Sequence, residues 1–258
     1  NNTFDVYNIQ GSSVAIGNFA GNDGSSTVVG YFAGSANEVE GVLTAMGKWA
    51  GRNNTTGHAS FFGNACGRLN ETTDSHAFGD EAASSIISGS SISAFGYYAL
   101  NKATGANPMT GFGHEVLRNA TTQPNTGVGH FFGRNVSTGK VTGIGNRGAE
   151  FLATGNGIFV GDLAGTKSGD SDFSFRFDLD IIAIGDNTYK SDSSQMDNVI
   201  LIGHNTRADR PNSIKLGNEQ NLFTQVYGKF GINKLPSEAL DVFGNIKASN
   251  LPKATNVL

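Results

Sequence analysis

Five carboxylates of this chain, Asp80, Glu81, Glu115, Glu150 and Asp162, lie a few residues beyond a Gly that follows a large apolar residue. Two carboxyl groups about 5–9 Å apart can hydrolyse a glycosidic bond, one as acid and the other as base or nucleophile. Spacing along the chain brings no two of these together, and an acid at a turn is unremarkable. The sequence therefore predicts no catalytic residue and no enzyme. His114, His130 and His204, three of the five histidines, each follow such a Gly directly and invite an axial metal or anion. They keep no metal-ligand spacing along the chain and are read as exposed residues on non-adjacent coils, so neither metal nor cofactor is expected. The single Cys66 allows no internal disulfide and reads as a small buried residue. Gly143-Ile144-Gly145 does not open a helix, which removes a nucleotide-binding reading. Calcium-binding nonapeptides are absent. Thr55, Thr104, Thr126, Thr138 and Thr154 are not joined into the Thr-x-Thr pairs of an ice-binding face.

Aromatic rings offer the other chemistry, since their faces bind sugars and apolar partners. Trp49, Tyr97 and Tyr98 are receptor-binding candidates if they face solvent and inter-chain packing if they do not. Phe173, Phe175 and Phe177 alternate with polar residues over 171–180, a pattern that predicts a strand inserted near 166–182. Its three rings either cover the core or form a platform for a ligand.

The elements that must position these side chains are written in a repeat. An apolar residue followed by Gly recurs every 13 to 18 residues or so, with one longer gap, at Gly17, Gly30, Gly47, Gly63, Gly79, Gly96, Gly113, Gly129, Gly145, Gly161, Gly185, Gly203 and Gly217. Three places further on a tiny residue is common, as at Ala20, Ala33, Ala50, Ala82, Ala99 and Ala164. The expected unit is a short strand with the apolar residue pointing inward, a positive-φ Gly corner, an Ala that admits a neighbouring backbone, a second short strand and a polar loop. So many Gly argue against helices. Stacked units predict an all-β, parallel β-roll or β-solenoid. Each coil supplies little apolar bulk, so other copies of the chain are expected to complete the core.

Composition agrees. With 36 Gly, only 5 Pro and 16% charged residues in 258, the chain is neither collagen-like nor simply disordered. A net charge of −4 gives no footprint for nucleic acid. No apolar run is long enough to insert in a membrane, and the chain is expected to be soluble.

Ser13-Val14-Ala15-Ile16-Gly17, echoed by Ile182-Ala183-Ile184-Gly185 and Val199-Ile200-Leu201-Ile202-Gly203, resembles the repeat of trimeric autotransporter adhesin heads, which are parallel β-rolls. The longer form Ile16-Gly17-Asn18-Phe19-Ala20-Gly21 is similar to repeats of phage tail fibres and related injection-machine fibres. Gly231 to Ala248 resembles the segment that in many tail fibres and tailspikes precedes a self-cleaving intramolecular chaperone domain. There Pro236-Ser237-Glu238 reads as a tight turn, Leu240, Val242 and Ile246 as inward positions, and Gly244-Asn245 as a hairpin turn. The chaperone and its cleavage junction are missing, so Leu258 is read as the end of a processed or shortened fibre.

These resemblances imply an intertwined homotrimer divided into a lead-in (1–12), a repeat fibre (13–217) and a C-terminal β joint (218–258). They imply attachment to a host-surface glycan or protein receptor, and other tail or baseplate proteins as further partners. The implied location is a virion tail, or a bacterial cell surface if the chain is a cellular adhesin head. Some tailspikes cleave polysaccharide with carboxylates set between subunits, which keeps that activity as the alternative.

Overall fold

The structure is a computed structural model. It describes residues 6–7, 13–21, 25–36, 41–55, 58–71, 73–87, 90–104, 108–121, 124–137, 139–150, 152, 155–166, 178, 180–191, 194–218, 220, 230–232 and 240–242. Phe173, Phe175 and Phe177 lie outside the described residues, as do the turns expected at 236–238 and 244–245 and the inward position Ile246.

Residues Asn1–Glu219 form one unit. It opens with β1 (Val6–Tyr7), antiparallel to β2 (Val14–Ile16). Thereafter β3 (Thr27–Val29), β4 (Leu43–Met46), β5 (Ala59–Phe62), β6 (Thr73–Phe78), β7 (Ser90–Phe95), β8 (Met109–His114), β9 (Asn125–His130), β10 (Val141–Asn146), β11 (Gly157–Val160) and β12 (Ile181–Ile184) follow in order. Each lies parallel to the one before it, and β14 (Val199–Ile202) and β16 (Ser213–Leu216) continue the stack to a 14-stranded sheet. Parallel neighbours that follow one another in sequence require the chain to return on the far side of each coil, which makes the unit a β-solenoid. Among the described residues there is no helix.

Strand register fixes which side chains fill the coils. Ala15, Val28, Ala45, Phe61, Ala77 and Ala94 pair in succession down the sheet, continue through Gly111, Gly127 and Gly143 to Phe159, Ala183 and Leu201, and are buried. The next residue along, the apolar one before each Gly, must by strand alternation face the other way. It does: Phe112 is 43% exposed, Ile144 57% and Leu216 54%. The expectation that this residue points inward is therefore corrected. The interior is narrow, so it takes the smaller neighbour, and the bulk goes outside.

Where a large side chain does enter, glycines make room. A Cβ on Gly67 would strike the Phe61 ring, on Gly165 the Phe159 ring, and on Gly148 it would come within 2.8 Å of Phe132. Each coil thus fills its own interior, and the expectation of a core left incomplete is corrected as well. The surplus apolar surface lies on the sheet's outer face.

Beyond each Gly the backbone turns left-handed. Phe32, Trp49, Tyr98, Phe131 and Arg147 have φ of 54°, 61°, 54°, 55° and 56°. Such a conformation costs a non-Gly residue about 1–2 kcal/mol, and an inter-coil hydrogen bond offsets it each time. Trp49 N–H donates to the Tyr31 carbonyl at 2.9 Å, and Tyr98 N–H to the Asp80 carbonyl at 3.0 Å. This ladder of turns replaces the second strand expected in every unit. Among the described residues only β13 (Tyr189–Lys190) and β15 (Arg207–Ala208) pair there as strands. The Ala three places after the Gly packs in the core. The close backbone approach occurs at the Gly itself, where a Cβ on Gly63 would overlap the Gly79 carbonyl oxygen. Cys66 occupies that Ala column and is fully buried.

The long gap between β11 and β12 ends in a buried ion pair. Asp178 is 0% exposed, and Lys190 Nζ lies 3.2 Å from its Oδ2.

Gln220–Leu258 form the second unit. Its described part is β17 (Phe230–Ile232) paired with β18 (Leu240–Val242). The pair is parallel, so these two strands are not the arms of a hairpin.

Candidate functional site: an apolar stripe and a corner ridge

Two surfaces of the solenoid carry interaction chemistry, and register builds both. The first is the outer face of the sheet. Ile16, Val29, Met46, Phe62, Phe78, Phe95, Phe112, Val128, Ile144, Val160, Ile184, Ile202 and Leu216 pair in succession and form one unbroken row. Within it Phe62, Phe78, Phe95 and Phe112 stack ring on ring, at 4.6, 5.0 and 4.4 Å with interplanar angles under 10°. Beside this row runs a second. It is hydroxyl-rich through Thr27, Thr44, Ser60, Ser93, Thr110, Thr126 and Thr142, then apolar through Ile158, Ile182, Ile200 and Ile214. Scattered exposed apolar residues are ordinary, whereas a continuous row marks a contact surface. A shallow groove of about 350 Å³ crosses this face, with Thr142, Ile158 and Ile182 as its floor and Lys140, Asn156 and Asp180 at its rim.

The second surface is the ridge at the Gly corners. Tyr97, 43% exposed, stacks on His114 at 5.0 Å, and His114 lies 4.8 Å from His130. These two histidines are direct partners on β8 and β9, which corrects their reading as residues of non-adjacent coils. Their rings are tilted by 38° to one another, and His114 Nδ1 is buried without a hydrogen-bond partner. His130 Nδ1 is 3.0 Å from Asn146 Oδ1, and Asn146 Nδ2 donates to Asp162 Oδ1 at 3.0 Å. Tyr98 is half-buried under the Arg118 guanidinium at 4.6 Å. Its hydroxyl donates to Glu81 Oε1 at 2.9 Å, a bond that pushes the phenol up to about 12. Trp49 carries the Lys48 ammonium 4.1 Å over its ring. Arg134 lies 5.2 Å over Phe131.

The five carboxylates singled out above tie one coil to the next. Asp80 accepts from Asn64 at 2.7 Å. Glu115 meets Arg118 at 3.0 Å and Arg134 at 3.5 Å, while Glu150 meets Arg147 at 2.9 Å and Arg134 at 3.8 Å. Arg134 thus bridges two coils by charge. Glu150 is buried and Glu115 partly so, whereas Asp80 and Asp162 are exposed, and each contact joins the carboxylate to its own coil or the next.

The structure therefore brings Tyr97 and Tyr98 together and adds His114, His130, Phe131, Arg118 and Arg134 around them. Sequence spacing singles out His114 and His130 by their place after a repeat Gly but misses Phe131, Arg118 and Arg134, yet each of these also sits at a fixed offset from a repeat Gly. Aligning the units on that Gly would have found them. Trp49 stands apart on its own coil. Among the described residues no three His, Cys, Asp or Glu side chains gather as a metal site. Comparison with protein-family models, with curated proteins and with solved structures finds no match to this chain.

Proposed function

We propose that the chain is a structural and receptor-binding segment of a homotrimeric fibre, mediating attachment to a host cell surface, most simply through a glycan. The observation that carries this reading is the unbroken outer row from Ile16 to Leu216. Only a partner with the same rise per coil can meet every position of such a row, and a second copy of the chain has that rise by construction. Three copies packed on this face would leave the corner ridges pointing to solvent, one per chain. Repeated shallow sites on a rigid rod then bind by avidity. The resemblance of the repeats to tail fibres and adhesin heads supports a virion tail, or a bacterial surface, as the setting.

Light scattering coupled to gel filtration tests the assembly, and glycan-array and cell binding test the receptor role. Three times the chain mass with saturable host binding is expected. A clean monomer at micromolar concentration overturns the assembly, and binding no better than an unrelated protein overturns the receptor role. Release of short oligosaccharides from host capsule would replace the proposal with a polysaccharide-degrading tailspike.

A further inference from the structure

The solenoid hides one pair of reactive groups that stacking does not require. Elsewhere among the described residues, neighbouring coils are joined by backbone ladders, by surface-facing pairs and by buried neutral side chains such as Asn101 and Asn125. On either side of β12 the chain instead sinks a carboxylate and an ammonium together into the interior. Asp178 is 0% exposed, and its partner Lys190 is 4% exposed on β13, with Ala208 of β15 paired opposite. Met196, also buried, donates its N–H to Asp178 Oδ1. Lys190 Nζ lies 3.2 Å from Asp178 Oδ2 and donates to the Ser194 carbonyl at 3.1 Å.

We propose that Asp178 and Lys190 condense to an intramolecular amide, a covalent staple across the coil that closes the longest gap between repeats. The reaction needs no oxidant and no cofactor. In a site shut off from water, a charged pair is poorly solvated, and moving one proton from Nζ to Oδ2 gives a neutral amine and a neutral acid. Burial already pushes the Asp178 carboxyl up from its ordinary value. The Nζ lone pair then attacks Cγ, and Oδ1 takes the developing negative charge where the Met196 N–H is aimed at it. The Cγ–Oδ2 bond breaks as the Nζ–Cγ bond forms. Oδ2 departs as water, carrying two of the three protons that began on the ammonium. Contact distance and fixed orientation replace activation of the acid, since groups held this way react at effective concentrations of about 10⁵ M or more.

Denaturing mass spectrometry of the full chain reads the result directly and does not depend on how many copies assemble. The chain should weigh one water, about 18 Da, less than its sequence. A tryptic digest should contain a branched peptide joining Asp178 to Lys190, with no cleavage after Lys190. Lys190→Arg and Asp178→Ala should each restore the full mass. Asp178→Asn, which can lose ammonia in the same step, should fall about 17 Da below its own sequence mass. The full mass in the unaltered chain, or a water lost with no branched peptide at these two residues, overturns the proposal. That outcome would leave the pair as an ion pair that only tethers the coil.

Discussion

At the scale of single residues, size matching governs this protein. Phe132 enters a coil because Gly127, Gly143 and Gly148 lack side chains beside its ring. Gly148→Ala is expected to destabilise the fold by about 1–3 kcal/mol through overpacking. Adding Phe132→Leu should recover part of that loss, and urea midpoints of the two single variants and the double check the coupling. A strictly additive double variant would contradict the size-matching account. Cys66 shows the same confinement in its chemistry. Burial pushes its thiol from 9.0 up to about 12, and its Sγ donates to the Ala77 carbonyl at 3.1 Å. Between those two values the unfolded chain ionises while the folded one stays protonated, so stability should fall as pH rises through that window. Cys66→Ala should remove this share of the alkaline loss, seen by comparing melting near pH 8 with melting near about pH 10.5. A loss of unchanged size in the variant would assign it elsewhere. Cys66 was legible as a small buried residue because it occupies the Ala slot of its unit. The compensation of Phe132 by Gly148 was not, because only the fold brings those two positions together.

The strand is the element at which sequence reading and structure part company. The spacing of the apolar-Gly pairs placed the thirteen strands β2–β12, β14 and β16 but not β1, β13, β15, β17 or β18, and Gly63 or Gly129 marks a corner plainly. What spacing could not decide was which of two adjacent apolar residues faces in. Phe61 and Phe62 are both large, and Ala15 precedes Ile16; bulk alone favours Phe62 and Ile16 as core, and the register reverses this. The usable signal was the smallness of Ala45, Ala77, Ala94 and Ala183 at the alternate position, since a confined interior selects small side chains. The outward row makes a firm expectation. Ile144→Asp places a carboxylate on a site 57% exposed in the single chain, so the coil should keep its far-UV circular dichroism. In an assembly packed on that row the charge would be buried without a partner, at a cost of several kcal/mol per copy. Light scattering should then report the mass of one chain. An undiminished assembly mass would place the contact between copies on another surface.

For the molecule as a whole, the β-solenoid was readable from the period, but its economy was not. Large inward side chains and an unfinished core were expected. Instead the interior takes Ala and Gly together with Phe, Leu, Ile, Val and Met from other positions of each coil, and left-handed turns bonded from coil to coil take the place of a second sheet over most of the unit. One feature of this arrangement bears on how such a chain can change. Each coil bonds almost wholly to the coil on either side, in a register that repeats from Gly to Gly. Cutting out Lys48–Gly63 would join Gly47 to Asn64 with the same corner, a Gly again four places on and the same outer row. Length is therefore close to a free variable, adjustable one rung at a time by duplication or loss. The coil that follows the longest gap, with Asp178 and Lys190 buried on either side of β12, is the rung that such editing could not remove without a trace.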